Sequence, residues 1–371
     1  MKAGLVVYGS LATVSGGYLY DRLLADRLRG RGVDVEVLSL SAGNYWRHLA
    51  GSLSDALARS INALAPDILL EDELCHPSLF LANRRLRKTM GFPVIPIVHH
   101  LLSSEVRPPW QNRLYRFVEK LYLETADGFI FNSETTRAAV RGVLGRDIPS
   151  VVSLPGRDHV TPHVSEGMIV ERCRRPGPLR ILFIGNVIPR KGLHTLLDAL
   201  YRLPRESCEL TVAGSLSADV PYARRIRKLV SGAGLAGRVK LLDMVSPDRL
   251  ADLLASHHCL AVPSYYEGYG IVYLEAMGFG EPIIASTAGA VPEVIGDGRE
   301  GFLSAPGDAS AVAAIVGRLG ADRGLLLSMS LAARERYLRQ PTWEEGAVQV
   351  ADFLRRMIEQ KKSPGRKGGR P

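Results

Sequence analysis

The sequence predicts an α/β protein made of two doubly wound halves in tandem. Two observations carry this. Short apolar runs alternate with amphipathic helical stretches from the first residues onward, the pattern of strands joined by crossover helices. The alternation pauses near residue 165 and resumes near residue 180. The length of 371 residues agrees, at roughly 100–200 residues per domain. With 46% hydrophobic and 23% charged residues, a disordered, fibrous or collagen-like chain is excluded.

In order, residues 4–8 (GLVVY) read as a strand and 15–32 as a glycine loop leading into a helix that stops at Gly32. Residues 33–40 (VDVEVLSL) are the next strand, which completes a β-α-β unit and implies a parallel sheet. Residues 52–66 form a helix with a Ser/Asp start and a Pro stop. Strands follow at 67–70, 93–100 and 128–133, and the pattern runs to about Pro155. Residues 165–179 (SEGMIVERCRRPGPL) lack a clear period and read as a linker. The second half opens with RILFIGN (180–186), and strands also fall at 208–215, 238–245, 259–264 and 282–286. Helices lie between them at 192–203, 222–234, 247–257 and 270–280. A last helix spans 343–360, with Val348, Val350, Ala351, Leu354 and Met357 on its apolar side.

The four cysteines, Cys75, Cys173, Cys208 and Cys259, are far apart. That spacing argues against a disulfide framework and a cysteine zinc site, and for a reducing compartment. No apolar run reaches the ~18 residues of a membrane span, and the start is too short for a secretory signal. The expected location is cytoplasmic. The net charge is +9, and Lys361, Lys362, Arg366, Lys367 and Arg370 concentrate cations in a Pro/Gly tail. Such a tail is usually a solvated end; anionic lipid or nucleic acid are its other partners.

Rossmann-like halves bind ligands at the carboxyl ends of their strands, so the candidate residues are those placed there. Gly16 and Gly17 precede the first helix, but no G-x-G-x-x-G pattern is present; either a tight turn or an anion seat fits them. Arg190 and Lys191 stand before Gly192 and a helix. They read either as solvated loop charges or as a diphosphate site with a planar fork and a point charge. Glu267 lies in a loop with Gly268, Tyr269 and Gly270, and Glu275 falls one turn into the next helix. A carboxylate accepts from vicinal hydroxyls, and an acid near a helix start is also simply stabilising. Glu275, set among apolar neighbours, needs a partner if buried. His99 and His100 end a strand, where a histidine is either structural or an acid, base or hydrogen-bond donor.

Taken together and in order, these pieces resemble the retaining glycosyltransferases of family 4, over essentially the whole chain. The resemblance rests on E-x7-E from Glu267 to Glu275 with the glycine-rich 278–303 after it, RKG at 190–192, VAGS at 212–215, NSETTR at 132–137 and the Gly16–Gly17 pair. It implies the GT-B fold, with two Rossmann-like domains facing across a cleft. Residues 1–165 plus 343–371 would form the acceptor-binding domain with a returning C-terminal helix, and 166–342 the nucleotide-sugar domain. It implies a nucleoside-diphosphate sugar, UDP- or GDP-linked, as donor, and a glycan, lipid-linked or small-molecule hydroxyl as acceptor. No cofactor or metal is implied, and no Asp-x-Asp triplet is present. Arg190 and Lys191 would neutralise the diphosphate and Glu275 hold ribose hydroxyls. Glu267 would contact donor-sugar hydroxyls, with Gly268, Tyr269 and Gly270 bringing backbone close. Gly16 and Gly17 would admit the diphosphate. His99, directly after Val98, fits the family's cleft histidine better than His100. Asn186 departs from the pattern, since many members carry Arg there; the second cation then falls to Arg190. LPGRD at 154–158 also departs, where an Asn-Gly-Val-Asp turn is common.

The acceptor half holds two basic stretches. Residues 84–88 carry four cations, and 106–124 mix Arg107, Arg113, Arg116 and Lys120 with Trp110, Tyr115, Phe117 and Tyr122. The second is either an amphipathic core helix or a surface that docks peripherally on anionic lipid. Glu71, Asp72 and Glu73 read as acceptor contacts or as solvated charges. No nucleic-acid partner is expected. Two further functions fit: a sugar-nucleotide epimerase or phosphorylase of the same architecture, and a charge-driven binding protein without turnover.

Overall fold

A computed structural model describes residues 1–87, 91–232 and 234–363. Contacts divide the chain into two compact units, Met1–Gly156 with the segment from Pro341, and Arg157–Gln340. The sequence reading drew the changes at 165/166 and 342/343. Residues just after Gly156 are tied within the second unit: Arg157 Nε donates to the Gln340 carbonyl at 2.8 Å, and the Tyr337 hydroxyl to the Arg157 carbonyl at 3.0 Å.

Unit 1 holds six parallel strands: β1 (Lys2–Tyr8), β2 (Asp34–Leu40), β3 (Ile68–Asp72), β4 (Val94–Val98), β5 (Phe129–Phe131) and β6 (Ser150–Val152). Their order is β2-β1-β3-β4-β5-β6. β3 and β4 are buried throughout, as strands of a sheet covered on both faces must be. The helix Gly16–Gly30 starts at Ser15, whose side chain accepts from the Tyr18 amide, and buries Tyr20, Leu24, Ala25 and Leu28 at helical spacing. The order reverses between β1 and β3, so the loops after those strands flank the switch point where ligands of such sheets bind.

The helix Trp343–Lys362 belongs to unit 1 and opens with a capping box between Thr342 and Glu345. It buries Trp343, Val350, Ala351, Leu354 and Met357. Two glycines make room for it. A Cβ on Gly128 would stand 2.9 Å from Phe353, and one on Gly156 2.2 Å from the Trp343 nitrogen.

Unit 2 repeats the plan with β7 (Leu179–Ile184), β8 (Cys208–Ala213), β9 (Val239–Leu242), β10 (Cys259–Val262), β11 (Ile283–Ser286) and β12 (Gly301–Ser304). The order is β12-β11-β10-β7-β8-β9, all parallel, with the reversal between β10 and β7. The sequence reading names no strand at β12, where only Phe302 and Leu303 of GFLS are apolar.

One expectation is corrected here. Most of the supposed linker 165–179 is a helix, Glu166–Arg174, capped by Ser165. Ile169 and Cys173 bury one side of it. Its arginine content misled: Arg172 is itself buried and donates to the carbonyls of Leu254, Ala255, Phe279 and Gly280. The four cysteines are free and buried. Among the described residues no helix is long and apolar enough to cross a membrane. Lys88 and the tail cations Arg366, Lys367 and Arg370 lie outside the described residues.

Candidate functional site

The second unit gathers its candidate residues at the carboxyl ends of β7 and β10. After β7 the chain passes Gly185 and Asn186 into a single turn, Pro189–Lys191. Gly192 then caps the helix Leu193–Tyr201 with φ of 69°. A Cβ there would stand 2.1 Å from the Pro263 carbonyl oxygen, so glycine is required by both backbone and space. The same holds for Gly214, whose Cβ would meet the Gly185 carbonyl oxygen at 2.1 Å. That close approach explains the small residues of VAGS.

These constraints bring Lys191 and Arg190 onto Glu267. Lys191 Nζ donates to Glu267 Oε1 at 2.6 Å, and Ser264 Oγ donates to the same oxygen at 2.6 Å. Arg190 Nη1 lies 3.7 Å from Glu267 Oε2 and donates to the Tyr266 carbonyl at 2.7 Å. Burial alone would push the Glu267 carboxyl up, but Lys191 and Arg190 outweigh it and hold it down at about 2. Burial likewise pulls Lys191 below the usual lysine range, with Glu267 offsetting part of the effect. The diphosphate cations and the sugar-facing carboxylate of the sequence reading therefore form one ion-pair cluster, in which Glu267 is buried and both cations are part-buried. Ser264 was not singled out from sequence. Nor was Gly289, whose φ of 68° and missing Cβ let the Glu267 carbonyl approach and accept from the Ala290 amide at 3.0 Å.

Gly268 is half-buried. The Tyr269 side chain is buried, and its hydroxyl accepts from Gln340 Nε2 at 2.7 Å. Gly270 caps the helix Ile271–Gly278 with φ of 94°, where a Cβ would stand 2.3 Å from the Tyr273 ring. Glu275 lies within that helix, and its Oε1 stands 2.7 Å from His159 Nε2. His159 is thus the partner that a sheltered Glu275 required. It lies 116 positions away in the chain, and no local signal marks it.

In unit 1 the ends of β1, β3 and β4 converge on His99. A Cβ on Gly17 would stand 3.2 Å from the His99 ring, whereas Gly16 has open space around it. His99 Nε2 pairs with Asp21 Oδ1 at 3.0 Å, and the His99 amide donates to Glu73 Oε2 at 3.0 Å. Burial would depress the imidazole, but Asp21, Glu73 and Asp72 together raise it to about 10. His100 belongs to another cluster, pairing with Glu105 at 2.8 Å beside Arg107. Glu71, Asp72 and Glu73 are buried, which corrects the solvated reading. Glu71 accepts from Asn83 Nδ2, and Asp72 caps the Leu74 amide. Asp21, Asp72 and His99 bring one donor atom each within 4.8 Å of the others. The 3.0 Å contact between Asp21 and His99 has hydrogen-bond length, so the trio reads as a proton-holding cluster.

Against this geometry, the family model for glycosyl transferases group 1 matches residues 171–336, and that for the glycosyl transferase 4-like domain matches residues 15–156. The chain belongs to the group 1 glycosyltransferases. It is 30% identical to the MMP alpha-(1->4)-mannosyltransferase of Mycolicibacterium hassiacum, over 72% of this chain and 66% of that protein. The glycosyltransferase thus aligns with about 66% of that relative's own length. Sucrose-phosphate synthase from Thermosynechococcus elongatus has the same fold, with a TM-score of 0.82 at 22% identity over 96% of this chain and 99% of that one. So does Anabaena HepE in complex with UDP-glucose, with a TM-score of 0.78 at 20% identity over 96% of this chain and 100% of that one. The two Rossmann-like units of this glycosyltransferase are those of the GT-B fold.

Proposed function

We propose that this glycosyltransferase moves a hexosyl group from a UDP- or GDP-linked sugar to a hydroxyl, with retention at the anomeric carbon and without a metal. The observation that carries the reading is the cluster of part-buried Lys191 and Arg190 on buried Glu267 at the strand ends of unit 2. As the anomeric C–O bond breaks, its electron pair passes to the diphosphate oxygen. Preorganised cations stabilise that charge and cost no reorganisation at the moment of reaction. Glu267 holds Lys191 in place and offers Oε2 to sugar hydroxyls, while Glu275 accepts from the ribose. The acceptor hydroxyl attacks on the face the diphosphate leaves, and its proton goes to the departing phosphate oxygen. His99 serves as a hydrogen-bond donor at the strand ends of unit 1. Names of relatives support a hexose: one is a mannosyltransferase, and one neighbour was solved with UDP-glucose.

The acceptor is proposed to be lipid-linked, reached from the surface of an anionic membrane. On the helix Pro109–Leu123, Tyr115, Val118, Tyr122 and Leu123 are buried. The same helix exposes Trp110 by 64% and Phe117 by 60%, beside exposed Arg113, Arg116 and Lys120. The buried side fits the amphipathic core-helix reading, and the exposed aromatic and basic side chains support the docking proposal. An exposed apolar patch with cations suits lipid headgroups. The test is product analysis. Release of nucleoside diphosphate in the presence of EDTA, with a product retaining the donor's anomeric configuration by NMR, is expected. Epimerised sugar nucleotide, sugar phosphate or no turnover would refute the reading.

A further inference from the structure

Deep in unit 1, four ionisable groups from separate elements meet. Asp21 comes from the first helix, Asp72 and Glu73 from the end of β3, and His99 from the end of β4. All four are buried, with Asp21 at 0% exposure. Among the described residues no lysine or arginine pairs with the three carboxyls; His99 is their basic partner. Burial pushes Asp72 up to about 7 and Glu73 well above the usual carboxylate range, with Asp21 adding to the first and Asp72 to the second. Neighbouring buried carboxyls do not both ionise readily, so this couple keeps a proton near neutrality. Asp21 Oδ1 is the carboxyl oxygen that faces the imidazole, 3.0 Å from Nε2.

The surroundings fix the ring. The Tyr20 ring meets it edge-on at 5.2 Å, Gly17 lies against it, and the Thr136 hydroxyl donates to the His99 carbonyl. Tyr18 and the Cys75 thiol, both pushed upward chiefly by burial and then by these same acids, stay neutral. The described residues give Nδ1 no hydrogen-bond partner.

We propose that Asp21 is the positioning residue of His99: through Nε2 it holds the ring against Gly17 and keeps both ring nitrogens protonated, so that Nδ1 presents a fixed N–H donor at the strand ends of unit 1. The proposal rests on the transferase reading above and deepens it. It removes one role from His99, because an imidazolium is not a general base. It also explains why an acid sits in the first helix five residues after the glycine pair begins: Asp21 and Gly17 share one face and reach the same ring.

The test uses the full chain labelled with 15N-histidine, with His99→Gln assigning the resonance. The His99 ring is expected to keep the imidazolium pattern from pH 6 to 8.5. Asp21→Asn should lower its midpoint by about two units, a hundredfold in proton affinity. A wild-type His99 that is neutral at pH 7.5 overturns the proposal, whether or not the variant folds. In turnover, Asp21→Asn should lose kcat/KM at least tenfold at pH 8 and recover much of it at pH 6, and Asp21→Glu should restore the wild-type profile. An Asp21→Asn profile equal to wild type overturns the positioning role. If wild type releases no nucleoside diphosphate from any sugar nucleotide, the transferase reading fails instead, and the titration still decides the pairing.

Discussion

Glu267 is the residue on which most of the account turns. Its Oε1 accepts from both Lys191 and Ser264, and Arg190 faces its other oxygen. Removing one partner of a buried pair strands the other charge, at a cost of about 3–5 kcal/mol. Glu267→Gln should therefore lower thermal stability measurably and cut kcat/KM by about 10²-fold or more. Lys191→Met should do the same. Because both remove one interaction, the double variant should be far less damaged than the sum of the two, which a double-mutant cycle in stability and kcat/KM checks. The depressed Glu267 carboxyl contributes stability that is present above its unfolded value and lost only as pH falls toward about 2. Its titration should be absent from the pH–rate profile above pH 4. The pairing was only half legible in the sequence. Residue types and order marked Lys191, Arg190 and Glu267, but not that they meet, since 76 positions separate Lys191 from Glu267. His159 with Glu275 and Asp21 with His99 are pairs of the same kind. Residues 71–73 read equally as acceptor contacts or solvated charges, because a run of acids carries no sign of burial; the fold of unit 1 buries all three.

Helix starts and their glycines carry the next level. Gly192 and Gly270 stand in left-handed backbone where a Cβ would overlap Pro263 and Tyr273. Gly192→Ala adds a steric clash to strained backbone and should destabilise by about 2 kcal/mol or more, read as a fall in Tm. Gly16→Ala is the contrast. Nothing lies within 4 Å of its Cβ position, so stability should move by less than about 0.5 kcal/mol. Strands and helices with clear periods were legible from the sequence. Helix Glu166–Arg174 was not, because its inward arginine broke the apolar pattern that marks a buried face.

At the scale of the molecule, buried protons set the pH response. Burial raises Glu71 to about 7 and Glu281 to about 8, and the His99 environment raises it to about 10. In each case the folded chain holds a proton that the unfolded chain gives up at lower pH. The stability of the carboxyl forms is full below their unfolded values and is lost as pH rises through 7 and 8. That of His99 is lost from about 6.5 up to about 10. Tm should therefore fall between pH 6 and pH 9; a constant or rising Tm contradicts the buried-proton picture. The basic-aromatic face of unit 1 predicts co-sedimentation with anionic but not neutral vesicles, reduced by Trp110→Ala with Phe117→Ala and by salt. The tandem α/β plan was legible because parallel strands alternate with helices at a fixed rhythm, whereas the acceptor leaves no comparable signal.

The most direct measurement is nucleotide binding to unit 2. A thermal-shift panel of UDP, GDP and ADP, with and without their sugars and with EDTA present, compares wild type with Lys191→Met. The account predicts that one base and its sugar raise the Tm of wild type, by about 2.7 kcal/mol of stabilisation at 100 times Kd, and that the variant loses the shift. No shift with any nucleotide, or an equal shift in the variant, would contradict the diphosphate site.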